Sequence, residues 1–214
     1  MTPTLITVEG PDGCGKSALV PRLAALLAAR MQLEWQHCAE PPPGPVERVI
    51  RSILQGAYRE GDRGKDALFY LFMASRLLDL PDETDAPHLV TDRGLLSTWV
   101  YQLHGTLSPA RACLVQRTLL DEPRLRRPAA TLILLPPLGT CLERRAQSGD
   151  LFDGERIRQT WSDYEVAARV PGFVPTSVVG QIVSLRPRPS DLMEETVVMA
   201  ADLLSRVLQG LLGS

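Results

Sequence analysis

"TLITVEGPDGCGKSALV", residues 4 to 20, decides the fold. Its first residues are rich in β-branched side chains and read as a strand, and its last residues open the helical apolar spacing of "KSALVPRLAALLAARM". Glycines fill the turn between them. Gly10 to Ser17 match G-x-x-x-x-G-K-[ST] in that strand-loop-helix setting, the context in which the pattern marks a phosphate cradle. The chemistry requires glycines, so that consecutive backbone N–H groups around Gly13, Cys14 and Gly15 converge on phosphate oxygens. The helix N-terminus adds partial positive charge and Lys16 a mobile cation. A chance glycine turn before a helix is the plain alternative, and the flanking elements argue against it. Asp12 is the odd residue, because a carboxylate inside a phosphate loop opposes a polyanion.

Outward from the cradle, the chain alternates strand and helix. "LEWQHC" (33 to 38), "HLVTD" (88 to 92), "TLILLP" (131 to 136) and "QIVSL" (181 to 185) read as four further strands. Between them, helices are expected over "VERVIRSILQG" and "DALFYLFMASRLLDL", near 95 to 104, over 108 to 121 and in charged stretches around 138 to 169. A terminal helix, "DLMEETVVMAADLLSRVLQGLL", follows the last strand. The "DALFYLFMASRLLDL" helix is apolar on most faces and is expected to be buried against a sheet. "AEPPPGP" cannot be regular helix or central strand and reads as an ordered loop. Five strands alternating with helices predict a parallel sheet covered on both faces, a three-layer α/β/α fold of the P-loop NTPase type. The ligand site is then expected at the C-terminal strand ends. Asp92, ending its strand, would stand beside the cradle if the two strands are neighbours, where it and Ser17 would hold Mg²⁺. A strand-end acid capping the next turn is the alternative.

Length and composition agree with this. A chain of 214 residues, 44% apolar and 22% charged, fits one soluble domain spanning 1–214, with a lid segment at about 143–158. The net charge of -2 and the lack of a basic run give no electrostatic reason for a nucleic-acid partner, so small-molecule phosphates are expected. Apolar runs are too short and proline-broken to span a bilayer, and neither a basic n-region nor a cleavage site opens the chain. A cytoplasmic protein with four free thiols (Cys14, Cys38, Cys113, Cys141) is expected.

In order and spacing, "EGPDGCGKS", "FMASR" and "DRGLLSTWVYQ" resemble the thymidylate kinase family, whose signatures are E-G-x-D-G-x-G-K-[ST], F-x-x-x-R and D-R-[YH]-x-x-S-x-x-A-Y-Q. "AEPPPGPVERVIRSILQG" resembles the family's R-E-P-G-G-T segment and the helix behind it. The likeness runs from residue 4 to residue 186. It implies a kinase that moves the γ-phosphoryl of ATP to dTMP and works as a homodimer. Gly10, Gly13, Cys14, Gly15, Lys16 and Ser17 would bind ATP. Phe72 would stack on the pyrimidine and Arg76 would hydrogen-bond it, four residues apart on one helix face. Arg93 would clamp the acceptor phosphate. Glu40, Ser97, Thr98 and Gln102 would line the acceptor, and Tyr101 would crowd the sugar 2′ position. Asp12 would accept a hydrogen bond from the 3′-hydroxyl. Read without the resemblance, Phe72 is equally an ordinary core residue, Arg76 a surface ion pair, Asp12 a turn residue bonding its own backbone, and the Ser97 to Gln102 stretch a polar helix face.

The chain departs from the family in several places. No arginine occupies the cradle, and "CLERRAQSGDLFDGERIRQT" lacks the lid pattern D-R-x-E. It has "DLFDGE" in that place, with Arg144 and Arg145 before it and Arg156 and Arg158 after it. Arg144 joins Lys16 and Arg93 as a candidate catalytic cation, with solvated helix charge as the alternative for all four lid arginines. Ala39 stands where the family has arginine, "PPPGP" replaces a glycine pair, Gly94 replaces an aromatic ring, and Pro21 sits inside the helix after the cradle. Two other functions stay open. One is a deoxynucleoside kinase using Glu40 or Asp92 as general base; the other is a degenerate nucleotide-binding protein without efficient turnover.

Overall fold

Strand β1 (Thr4–Glu9) forms the middle of a five-stranded parallel sheet, with β3 (His88–Asp92) on one side and β4 (Ala130–Leu134) on the other. The edges are β2 (Gln36–Ala39) and β5 (Gln181–Leu185), giving the order β2-β3-β1-β4-β5. The computed structural model describes residues 3–54, 62–103, 109–148 and 154–212. Helix α1 (Lys16–Met31) follows β1 through the glycine loop. Helices α2 (Pro45–Ser52) and α3 (Asp62–Leu78) connect β2 to β3. After β3 come α4 (Leu95–Thr98), a π-helical turn over Trp99–Leu103, and α5 (Pro109–Asp121). Helices α6 (Leu138–Gln147), α7 (Gly154–Arg169) and α8 (Thr176–Val179) link β4 to β5, and α9 (Met193–Leu212) closes the described chain.

The three inner strands β1, β3 and β4 are buried on both sides because both sheet faces are covered there, whereas the edge strands β2 and β5 are partly exposed. On one face, Ile6, Val8, Val90, Leu132 and Leu134 meet α1 and α9. Leu19, Leu23 and Leu27 recur at the four-residue spacing of one α1 stripe and are completely buried there. Each such leucine contributes about 2 kcal/mol of burial. The second face packs Ile133 against Leu95, Leu96, Leu119, Tyr164 and Val178 from α4, α5, α7 and α8. Among the described residues no helix is long and apolar enough to cross a membrane.

The five-stranded parallel fold expected from the sequence is present, with local differences. β2 begins at Gln36 rather than residue 33, because its pairing partner on β3 starts at Leu89, opposite Gln36. α3 begins at Asp62 and is not buried on most faces: Tyr70 is 55% and Leu78 73% exposed. Its buried side is the stripe of Phe69, Met73 and Arg76, which packs toward the turn at Trp99–Leu103 and not flat on the sheet. α8 carries too short a periodic signal to be read from sequence. α1 stays helical across Pro21. Cys14, Cys38 and Cys141 are free thiols, whereas the Cys113 side chain, the distal part of the "VERVIRSILQG" helix and the centre of the lid segment (149–153) lie outside the described residues.

Candidate active site

The C-terminal ends of β1, β3 and β4 frame the site. In register, Val8 of β1 lies opposite Asp92 of β3 and Leu132 of β4, so the cradle and Asp92 leave the sheet side by side. The loop's shape depends on two glycines. Gly10 has φ 145° and a Cβ there would lie 2.4 Å from the Leu134 carbonyl oxygen; Gly13 has φ 81° and its Cβ would lie 2.4 Å from that of Cys141. The end of β4 and the start of α6 therefore wall the cradle so tightly that no side chain fits. Lys16, 6% exposed, donates from Nζ to the carbonyl oxygens of Gly10 (2.9 Å) and Pro11 (3.0 Å). Ser17 Oγ donates to Asp92 Oδ2 at 2.6 Å, which brings the two expected metal residues together. Arg144, from the last turn of α6, donates Nη1–H to the Cys14 carbonyl at 3.4 Å and so reaches the cradle rim.

On the other side of the loop stands Arg93. It is one of two non-glycine residues among those described with positive φ, 83°, a conformation that strains any residue with a Cβ and persists only where its surroundings fix it. Here they do. The Arg93 N–H donates to Val8 O at 2.9 Å, and its carbonyl accepts from Thr91 Oγ1 at 2.7 Å. The guanidinium pairs with Asp12, donates to Ser97 Oγ and Tyr101 Oη (both 3.3 Å), and lies 5.1 Å from the Tyr101 ring centre. Arg156 approaches the same ring at 5.5 Å. Burial pushes the Asp12 carboxyl up, but Arg93, Lys16, Arg145 and Arg156 more than offset it and hold it below the usual carboxylate range. Burial likewise opposes the Arg93 charge, while Tyr101, Asp12, Tyr164 and Asp92 outweigh that and keep it cationic. The awkward aspartate thus has four cations around it.

A second arginine organises the neighbouring pocket. Arg76 of α3, almost buried, donates Nε–H to Glu40 (2.6 Å), Nη1–H to Thr98 Oγ1 (2.7 Å) and Nη2–H to the Gly94 carbonyl (2.7 Å). Burial raises the Glu40 pKa, with Arg76 opposing and the Glu9 and Asp92 carboxylates adding to the rise. Phe72, one turn before Arg76, is half-buried and stands outside the two core clusters. The absent aromatic ring after Arg93 has a steric reason: a Cβ on Gly94 would lie 2.6 Å from Thr7 Cγ2. The Gln102 side chain lies outside the described residues.

The structure therefore gathers Asp12, Arg93, Ser97 and Tyr101 into one cluster, Glu40, Arg76 and Thr98 into a second, and Lys16, Ser17, Asp92 and Arg144 around the cradle. Sequence reading missed Glu9 and Tyr164. Glu9, fully buried, accepts from the Ser97 N–H (3.0 Å), from Ser97 Oγ and from Tyr164 Oη (3.0 Å). A charged residue at the end of an otherwise apolar strand was the available signal.

A parallel sheet of this order, a glycine cradle with its lysine, and a second cationic cluster across the loop define a P-loop nucleotide kinase. Comparison with known proteins narrows this. The thymidylate kinase family model matches residues 8–165, and the chain belongs to that family. It is 28% identical over 172 residues to the thymidylate kinase of Neisseria meningitidis serogroup C, covering 79% of this chain and 81% of that one. The thymidylate kinase of Neisseria gonorrhoeae is 29% identical over 174 residues, with the same coverage. A probable thymidylate kinase of Methanococcus maripaludis is 34% identical over 101 residues, 46% of each chain, so this chain spans under half the length of that relative.

Proposed function

We propose that the protein is an ATP-dependent thymidylate kinase that transfers the γ-phosphoryl group of ATP to dTMP, giving dTDP and ADP. The observation that supports this reading is that one loop meets two cationic groups, Lys16 in the cradle and Arg93 at Asp12. In this reading Gly10, Gly13, Cys14, Gly15, Lys16 and Ser17 hold the ATP phosphates. Arg93 clamps the acceptor phosphate, Phe72 and Arg76 take the pyrimidine with Glu40, Thr98 and Gln102 around it, and Tyr101 faces the deoxyribose. Asp12 meets the 3′-hydroxyl. Arg144, already at the cradle rim, supplies the arginine that the cradle itself lacks.

An oxygen of the acceptor phosphate bonds to the γ-phosphorus as the bridge to the β-phosphate breaks, and that bridging oxygen leaves with ADP. The attacking oxygen is already anionic, so no strong base is needed, and the residues act by alignment and charge stabilisation. The Ser17 hydroxyl and Asp92 carboxylate are hard oxygen donors, 2.6 Å apart, of the kind Mg²⁺ takes together with phosphate oxygens and water. Held by these two residues, Mg²⁺ would supply neutralisation of the donor phosphate charge. The alternative base Glu40 is tied to Arg76, which weakens the deoxynucleoside-kinase reading. We further place the chain in the cytoplasm, as a single domain over 1–214 with a lid at about 143–158 that forms homodimers through α2 and α3.

An ADP-release assay across dTMP, dUMP, dCMP, thymidine and buffer tests the reading. Turnover is expected with dTMP above all. Turnover with thymidine alone overturns the acceptor, and ATP binding without turnover on any of them overturns the activity.

A further inference from the structure

We infer that Glu9 is a positioning residue, one that sets the proton direction of a buried Glu9–Ser97–Tyr164 network and thereby holds the Arg93 guanidinium ready for the acceptor phosphate. The inference deepens the kinase reading, since it rests on Arg93 meeting that phosphate.

Glu9 ends β1 with no exposed surface, and three donors converge on it: the Ser97 backbone N–H, the Ser97 hydroxyl and the Tyr164 hydroxyl. A buried carboxylate needs such donors in place of water. Ser97 Oγ also lies 2.9 Å from Tyr164 Oη and 3.3 Å from Arg93 Nη1. Proton bookkeeping then fixes the network. Arg93 has only donors, so Ser97 Oγ must present a lone pair to it. Ser97 has a single proton, and it can turn that proton away from Arg93 only if an acceptor waits on the far side. Glu9 is that acceptor. Burial, followed by the Glu9 charge, pushes the Tyr164 phenol well above its ordinary range, so Tyr164 remains a donor toward Glu9 and leaves the serine oxygen free. The backbone of Arg93 is fixed separately, by Val8 O and Thr91 Oγ1, so the network acts on the side chain alone.

The conservative variant Glu9→Gln keeps the shape and places an N–H₂ among donors. The amide can donate to Ser97 or Tyr164, and the serine proton is then turned toward Arg93, where it meets another donor. The guanidinium loses its seat while the cradle is untouched.

Calorimetric titrations of wild-type, Glu9→Gln and Ser97→Ala protein with dTMP, thymidine and ATP separate the outcomes. Wild-type protein is expected to bind dTMP more tightly than thymidine. Glu9→Gln is expected to weaken dTMP by about tenfold, the scale of one mispaired buried donor, while thymidine and ATP affinities hold. Ser97→Ala should reproduce the loss, and the double variant should be no worse than either single one. If the wild type does not distinguish dTMP from thymidine, Arg93 is not the phosphate clamp and the kinase reading itself is at fault. If the wild type distinguishes them and the variants lose both ligands equally, or neither, the positioning role is wrong. Should Glu9→Gln not fold, Ser97→Ala carries the same test.

Discussion

At the scale of single residues, Asp12 joins the cradle to Arg93, the residue proposed to meet the second substrate. The sequence presented it as a contradiction, an acid in an anion site. Its resolution is that Arg93, Lys16, Arg145 and Arg156 surround the carboxylate, so the loop carries net positive charge where it counts. Removing the acid should harm the acceptor side first. Asp12→Ala is expected to raise the dTMP KM about tenfold or more, the loss of a charged hydrogen bond, and to leave the ATP KM within about twofold. Initial-rate kinetics with each substrate varied in turn decide it; equal losses return Asp12 to a turn role. A pH dependence follows from the same group. Its folded pKa is depressed, so the ion pair stabilises the native state above the ordinary carboxylate value near 3.8 and the contribution disappears as pH falls through the lower, folded value. Asp12→Asn should flatten the acid limb of the stability curve below about pH 4. Most cradle residues were legible because glycine, lysine and serine at fixed spacing have few other uses. Glu9 was not, because its partners Ser97 and Tyr164 are 88 and 155 positions away, and no local pattern encodes them.

Elements were legible wherever a periodic run was long. β1, β3 and β5 have the predicted limits, since apolar continuity bounded by turns is a strong signal. The limits of β2 and α3 were set by partners: the register with β3 trims the first, and packing against the turn after α4 orients the second. Arg76 shows what the orientation of α3 accomplishes. Its three donor groups reach the loop after β2, the carbonyl of Gly94 and the hydroxyl of Thr98, so one side chain ties three elements. The family resemblance gives it to the pyrimidine, and the structure adds a load that any mutation will also release. Arg76→Ala strands Glu40 as a buried, unpaired carboxylate. The expected cost is about 3–5 kcal/mol, typical of breaking a buried ion pair from one side. Urea unfolding measures it, and the double variant Arg76→Ala/Glu40→Ala should recover part of the loss. A single-variant cost below about 1 kcal/mol would show the pair to be a surface-like contact despite its burial.

For the molecule as a whole, the sheet order places the cradle of β1 beside Asp92 of β3 on one side and the α6 arginines beyond β4 on the other. The sequence predicted the alternation of strands and helices, hence the layers. It could not give the order, which depends on long-range pairings such as Val8 with Asp92. The connection from β2 to β3, through α2 and α3, carries exposed apolar side chains. Val49 of α2, Leu54 just past its end, and Tyr70 and Leu78 of α3 are 46–73% exposed, and α2 packs on α3, so these residues lie on two adjoining helices. Apolar residues gathered on one side mark an interaction surface more often than they are left to water. A homodimer would bury this side by a two-fold axis, each copy covering the other with the same residues. Because Phe72 and Arg76 lie on α3, dimer formation would brace the helix proposed to carry the pyrimidine contacts. Sedimentation equilibrium at micromolar protein should therefore report a dimer, and the paired substitution Tyr70→Glu with Leu78→Glu should give a monomer, since each new carboxylate would have to be desolvated in the interface. The monomer is expected to retain ATP binding, because the cradle stands on β1 and α1, and to bind dTMP more weakly. A wild-type chain that sediments as a monomer refutes the interface, and a monomeric variant with unchanged dTMP affinity refutes the bracing of α3.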